Sequence, residues 1–457
     1  MENVQNKENR IINGVIWKQL LIFFFPIVLG TFFQQLYNTV DAIIVGNFVG
    51  KEALASVGGT TGTLINLTVG FFVGLSSGAG VVLAQYFGAQ DRENIHRSVH
   101  TSIALGILGG AILMVIGIFG AESAMRMMQT PEEIMAYSLT YLRIYFIGVI
   151  PQMIYNMGSG LLRAVGDAKR PLYYLIAACG VNIVLDLLFV VIFRWEVMGV
   201  AVATILSQLV SAILVSYTLI RSDTLYQLHP REIRLNPTIL KEIIIIGLPA
   251  GLQSVMYAIS NVIIQSSINA YGTNSIAAWT AYGKIDGLFW MVMGAFGVAI
   301  TTFVGQNFGA RKLDRVHKSV KISILMASIT AIAISCLFLS TGQFIYRLFT
   351  NDAQVIEIGM QILWILGPFY VCYVCIELLS GAMRGCGESF VPMVMTALGI
   401  CGLRIAWIAY YMPQNVLLDK ILQCYPITWI VTSIFFILYY LQGGWLKRRK
   451  LKAGIIE

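Results

Sequence analysis

Of the 23 Asp and Glu in this 457-residue chain, four fall well inside long apolar stretches: Asp41, Asp186, Asp286 and Glu377. An ionised side chain at membrane depth is costly and is found mostly where it has a function. Asn182 and Asp186 stand four apart, so on a helix they share one face. Asp41 lies deep in the first apolar stretch and Thr204 in the sixth. Two carboxylates, an amide oxygen and a hydroxyl are hard oxygen ligands. They suit Na⁺, and a carboxylate pair held close can instead share a proton. No Lys or Arg lies deep in the first, fifth or sixth stretch to neutralise Asp41 and Asp186. That favours a cation site over simple hydrogen bonding between neighbouring helices.

The second half of the chain is charged differently. Lys284 and Asp286 lie in the eighth stretch, Glu377 in the tenth and Arg404 in the eleventh. Two acids and two bases can cancel, so this set reads either as a structural ion-pair network or as part of a substrate site. Lys284 and Asp286 are two apart and do not face each other on a helix, so Glu377 and Arg404 are their expected partners. Pro26 removes a backbone hydrogen bond from the first stretch and is expected to bend it near Asp41; Pro249 occupies a similar place in the seventh. Aromatic and Met residues (Tyr37, Tyr141, Tyr155, Phe289, Trp290, Met291, Met293) are numerous enough to line a pocket for a flat, lipophilic cation.

The elements that position these groups are membrane spans. The chain is 57% hydrophobic and 12% charged, whereas a soluble domain carries about 25% charged residues. Apolar runs long enough to cross a bilayer fall near 15–46, 53–86, 93–120, 134–162, 168–193, 197–220, 239–271, 273–308, 316–343, 355–383, 389–412 and 418–442. They are continuous rather than alternating, which disfavours a barrel. The polar start, residues 1–18, runs into an apolar stretch that passes Val45 with no small-residue cleavage site, as an uncleaved first span would.

Lys and Arg set the orientation. Twenty-three of the 31 fall on one side: Lys7, Arg10 and Lys18 at the start, the breaks after even-numbered spans, and the tail from Lys447 to Lys452. Six fall on the other side. Both termini are therefore expected in the cytoplasm, with the chain in the plasma (inner) membrane. The net charge of +8 is read as a topology signal with some anionic-lipid contact, not as a nucleic-acid surface.

The chain also repeats itself. Gln85, Phe87, Gly88 and Ala89 match Gln306, Phe308, Gly309 and Ala310. His96-Arg97-Ser98-Val99 matches His317-Lys318-Ser319-Val320, and Arg163, Gly166, Asp167 and Pro171 match Arg384, Gly387, Glu388 and Pro392. All share one offset of 221 residues. An all-α polytopic fold of two pseudo-two-fold-related six-helix lobes follows. Residues 1–220 form the N-terminal lobe, 221–238 a cytoplasmic linker, 239–442 the C-terminal lobe and 443–457 a basic tail. Lobes of six spans enter the membrane in the same sense, so their axis runs along the membrane normal with the pathway between them.

Other classes find little support. Cys372 and Cys375 form a CxxC, but no second pair or nearby His completes a zinc set. There is no HExxH, no GxSxG on a span and no P-loop, and His96, His100, His229 and His317 sit in or near loops. A membrane enzyme and a self-contained ATP-driven pump are both disfavoured, and no cofactor is expected.

The 6+6 repeat, the Gln85–Ala89 and Gln306–Ala310 loops, and the Leu162-Arg163-Ala164-x-Gly166-Asp167 and Met383-Arg384-Gly385-x-Gly387-Glu388 segments together carry a resemblance. So does Gln34-Gln35-Leu36-Tyr37-Asn38-Thr39-Val40-Asp41 in span one. On these the chain resembles the multidrug and toxic compound extrusion (MATE) family over nearly its whole length. It looks most like the DinF-like branch, which the resemblance associates with an acid in span one, here Asp41, and in span five, here Asp186. The NorM-like branch has an acid in span seven, and Gly247 to Tyr271 contains none. The resemblance implies Tyr141, Asn182 and Thr204 as polar partners of the two acids and Pro26 as the bending proline. It further implies antiport: Na⁺ or H⁺ enters, and a small organic, often cationic, compound leaves by alternating access through one chain working as a monomer. A lipid-linked sugar flippase or polysaccharide exporter of related fold is the alternative, to which an acidic first-lobe interior is poorly suited.

Overall fold

Long apolar segments with no polar interruption satisfy every backbone group internally only as helices when lipid surrounds them. The computed structural model describes residues 10–414, 417–452 and 454; Lys7 and the last tail residues lie outside them. Among the described residues all regular structure is helical. Among these residues, eleven helices are long and apolar enough to cross a membrane, from Ile16–Phe48 to Leu418–Gln442, and one bent pair, Glu132–Ile147 with Val149–Ala164, counts as a twelfth when taken as one span. The twelve correspond one for one with the apolar runs of the sequence. Along the third span, Arg92–Met127, Ile112, Ile116 and Phe119 are exposed, as expected of side chains that meet lipid.

The fourth span bends by 50° at Gly148. Pro151, just beyond, lacks the N–H that would carry the helix bond through the bend. A side chain at Gly148 would collide with Ile205 of the sixth span, Glu196–Arg221. The bend and the close approach of the sixth span therefore coincide.

The repeat is present in backbone geometry as well as in sequence. Gln90 and Arg311, 221 apart, both close their helices with left-handed backbone, at φ 57° and 60°. Gly166 and Gly387 take φ 96° and 87° in the next pair of matching loops. There Gly166 N–H donates to the Arg163 carbonyl at 2.9 Å and Gly387 N–H to the Arg384 carbonyl at 2.7 Å. Asp167 N–H reaches Leu162 O at 2.9 Å and Glu388 N–H reaches Met383 O at 2.8 Å. This is one helix-ending turn built twice, and a positive φ explains why both copies use Gly.

The chain packs as two units, Ile22–Gly251 and a second made of Leu252 onward with the residues before Ile22. The packing thus divides inside two helices, not at the polar stretch 221–238 that separates the sequence repeats. Gly74 and Gly78 of the second span meet Gly247 and Gly251 of the seventh, backbone to backbone. A Cβ on Gly78 would lie 2.5 Å from the Gly247 nitrogen, and one on Gly247 would lie 2.7 Å from the Leu75 carbonyl oxygen. Small residues four apart on both helices permit this approach. At the start of the seventh span, Pro237–Asn269, the Tyr86 hydroxyl also donates to Glu242 at 2.8 Å. The early seventh span is therefore held by the first unit. In the second unit, Lys312 Nζ donates to Asn13 Oδ1 at 2.6 Å and Arg315 Nη2 to the Ile11 carbonyl at 2.9 Å, which fixes the short helix Arg10–Asn13. Pro26 and Pro249 lie inside unbroken helices close to the two divisions.

Candidate cation and substrate sites

In the first unit, four spans converge on one polar cluster. Asp41 comes from Ile16–Phe48, Tyr141 from Glu132–Ile147, Asn182 and Asp186 from Lys169–Asp186, and Thr204 from Glu196–Arg221. All are buried, Asp41 at 4% exposure and Asn182 and Asp186 at 0%. Asp186, Asn182 and Thr204 flank the Asp41 carboxylate, and the buried Tyr141 lies within electrostatic range of both acids. The Thr204 hydroxyl is 3.4 Å from Asp41 Oδ2, but it is closer, at 2.9 Å, to the Val200 carbonyl. Its single proton serves mainly that helix bond, which turns its lone pairs toward the cluster.

The remaining polar atoms are left over. With both acids ionised, Asp41 Oδ1, both Asp186 oxygens and both polar atoms of the Asn182 amide lack a donor–acceptor partner, although Asp186 and Asn182 lie in hydrogen-bonding reach of the Asp41 carboxylate once a proton is shared. Among the described residues no Lys or Arg forms an ion pair with either acid. Buried polar atoms are almost always satisfied, and a buried carboxylate more strictly than most. Two adjacent unsatisfied acids are therefore a donor set short of a positive charge. Three carboxylate oxygens and an amide oxygen have the chemistry of a small hard cation's shell.

Two features of this cluster were not read from the sequence. Tyr37 lies one helical turn before Asp41 and beside it, a spacing that sequence inspection could have flagged. Immediately after Asp186 the helix widens to a π-turn over Leu187–Ile192. Such wide turns are rare and occur often at functional sites; no residue type in Leu-Leu-Phe-Val-Val-Ile announces it.

The second unit corrects the expected ion-pair network. Lys284, Asp286, Glu377 and Arg404 do not pair with one another. Lys284 is exposed on its helix, Thr273–Gly309, while Asp286 turns inward. Residues two apart point to opposite sides of a helix, so only one of them can enter the unit. Asp286 is held by neutral donors: Tyr370 OH at 2.7 Å and Trp290 Nε1 at 2.5 Å. Glu377 accepts from Tyr373 OH at 3.1 Å and lies over Gly297, where a Cβ would strike the carboxylate. The base that acts on it is Arg384, from the repeated 383–388 segment. Arg384 reaches inward and donates to Gln253 Oε1 at 3.3 Å. Arg404, 2% exposed, stacks over the Tyr425 ring at 4.0 Å and donates to Thr428 Oγ1 at 3.3 Å. Tyr282, Phe289, Trp290, Tyr370, Tyr373 and Trp429 complete an aromatic nest around these charges.

A duplicated bundle of twelve spans with a carboxylate pair in one lobe and an aromatic-lined cluster of buried charges in the other has the architecture of a membrane transporter. The MatE family model matches the chain twice, over residues 26–188 and 249–409, once in each repeat. The chain belongs to that family of membrane transporters. It is 26% identical over 443 residues to the probable multidrug resistance protein YoeA of Bacillus subtilis, covering 95% of both chains. It is 25% identical to the probable multidrug resistance protein NorM of Thermotoga maritima, covering 95% of this chain and 94% of that one. The crystal structure of a MATE protein in the straight conformation superposes with a TM-score of 0.89 at 25% identity, over 97% of this chain and 99% of that chain.

Proposed function

We propose that this protein is a cation-coupled exporter of small organic, often cationic, compounds. Na⁺ or H⁺ enters down its gradient through the Asp41–Asp186 cluster, and substrate leaves by alternating access. The observation that carries this reading is the pair of adjacent buried carboxylates that no Lys or Arg pairs with among the described residues. A bound cation, taken up and released, is what makes such a pair tolerable in one state and costly in another. The ion is cargo here: Asp41, Asp186, Asn182 and Thr204 hold it, and Tyr141 closes the cluster on one side. The acids in spans one and five favour the DinF-like branch. The aromatic nest around Asp286 suits the flat cationic substrate. Pro26, about four turns before Asp41 in the same helix, is the point at which that helix flexes when the cluster charge changes. One chain acts as a monomer in the plasma membrane, and the Lys and Arg distribution supports both termini in the cytoplasm.

The test is flux from proteoliposomes holding a fluorescent lipophilic cation, under imposed Na⁺ or H⁺ gradients. One of the two gradients accelerates efflux by tenfold or more, and Asp41→Asn abolishes that acceleration while inserting and folding normally. Efflux indifferent to both gradients, or gradient-driven efflux in Asp41→Asn, rejects the proposal.

A further inference from the structure

The third span and the connector that follows the sixth span meet in a histidine cluster that plays no part in the transport reading. His96 and His100 are four apart on Arg92–Met127, so they lie on one helix face with ring centroids 4.0 Å apart. His229 and Glu232 come from the connector, in and beside the short helix Pro230–Glu232. His96 Nε2 is 3.0 Å from Glu232 Oε2. The His100 ring lies close to parallel with that of His229, at 10° and 6.1 Å. One ligand atom each from His96, His100 and Glu232 falls within 4.8 Å of the others.

We propose that His96, His100 and Glu232 form a site for a divalent transition metal of the Zn²⁺ class, which staples the connector to the third span. Two imidazoles and one carboxylate with a fourth position open to water are a Zn²⁺ ligand set. His100 carries the orientation that such sites use. Its Nδ1 is 2.7 Å from the His96 carbonyl oxygen, which fixes the proton on Nδ1 and leaves Nε2 with a free lone pair to donate. That lone pair now accepts the His229 backbone N–H at 3.0 Å, and metal binding exchanges this bond for a ligand bond. Ligands about 2.1 Å from a tetrahedral Zn²⁺ sit about 3.4 Å apart. The widest separation must therefore close by over an ångström, which His96 and Glu232, at 39% and 55% side-chain exposure, are free to do.

The scaffold around the site is already ordered. Asn236 N–H donates to Thr101 Oγ1 at 3.1 Å, Leu228 N–H to the Leu219 carbonyl at 2.9 Å, and Gln227 Nε2 to the Ile220 carbonyl at 3.0 Å. Arg97, next to His96, is engaged by Glu93 and so does not compete for Glu232. The sequence repeat supplies a contrast: His96 matches His317, but the position matching His100 is Lys321. The second half therefore has the first histidine without the second, and the site belongs to one half alone.

The experiment uses the full chain purified in detergent without a polyhistidine tag, stripped with chelator and titrated with Co²⁺ and Zn²⁺. Wild type binds one equivalent of Co²⁺ with the intense visible bands of a tetrahedral nitrogen–oxygen site, and Zn²⁺ displaces it. Because His100 is buried and its loss risks misfolding, the variants are His96→Ala and Glu232→Gln, both at half-exposed positions. Each weakens binding at least tenfold and removes the metal-dependent rise in thermal midpoint, while Asp186→Asn changes neither. An unchanged equivalent in His96→Ala, a site lost only in Asp186→Asn, or no saturable binding in wild type overturns the proposal.

Discussion

Replacing Asp186 by Asn isolates the charge of the first-unit cluster from its shape. The side chain is isosteric, the position is fully buried, and the amide can still offer Asp41 the side-chain hydrogen bond that a protonated Asp186 makes with it. What disappears is one negative charge next to Asp41. For a cation about 4 Å from that charge, at an effective dielectric of about 20, the lost attraction is about 4 kcal/mol, or about a thousandfold in affinity. The same change relieves the bare protein, since an unpaired buried polar group costs about 1–3 kcal/mol and a charged one more. Two opposite effects follow, and thermal unfolding in detergent reads both. Wild type at alkaline pH without Na⁺ is the weaker protein. It gains about 2.7 kcal/mol when the coupling ion reaches 100 times its dissociation constant, a shift of several degrees in midpoint. Asp186→Asn starts higher and responds little. If the ion is H⁺, the axis is pH. A folded state that binds more protons than the unfolded one gains stability as pH falls, and the variant shows a shallower slope. A variant whose midpoint climbs with Na⁺ or with acid as steeply as wild type refutes the reasoning, because the carboxylate would then not be part of what the cation sees.

Two further outcomes separate the lobes and test the packing. Asp286→Asn keeps the shape facing Tyr370 and Trp290 but removes the charge, and it raises the apparent KM for a cationic substrate about tenfold in the flux assay, the scale of one charge-assisted contact. The Na⁺ or pH response of the thermal midpoint is unchanged, and a lost response would mean that the coupling ion also uses this pocket. Gly78→Val forces a branched side chain against the Gly247 backbone, which has no rotamer to yield, so its destabilisation reaches or exceeds the about 1–3 kcal/mol of ordinary overpacking. Gly120→Ala, where nothing lies within 4 Å of a new Cβ, is neutral in the same unfolding measurement; equal midpoints for the two variants would contradict the backbone crossing.

What the sequence discloses here follows from how each signal is encoded. Spans are written in composition over about 20 residues, so all twelve were legible, and the repeat was legible because a helix-ending turn with positive φ leaves Gly166 and Gly387 little choice of residue. The acids of the first unit were legible for a related reason: charge in an apolar run is rare, and the i, i+4 spacing of Asn182 and Asp186 fixes a shared face without knowledge of any neighbour. Tyr141 is different, since its position among the acids was implied by family resemblance, not by spacing. The second unit marks the limit. Lys284 was placed by the apolarity of its surroundings and Arg384 by its place in the repeat, yet Lys284 faces outward and Arg384 inward. An arginine at the end of a span can extend back along its helix or out to a headgroup, and the choice depends on whether a group such as Gln253 waits on the facing helix. The unit boundaries were hidden for the same cause. Glycines 74 and 78 and glycines 247 and 251 are unremarkable apart, and only their meeting carries the start of the seventh span into the first unit. Pairwise relations between distant helices decide partners, whereas single-position rarity decides which residues matter. That is why the acid cluster of the first unit, built from rare residues, was assembled from sequence more completely than the charged nest of the second unit, whose charges are held by common aromatic hydroxyls.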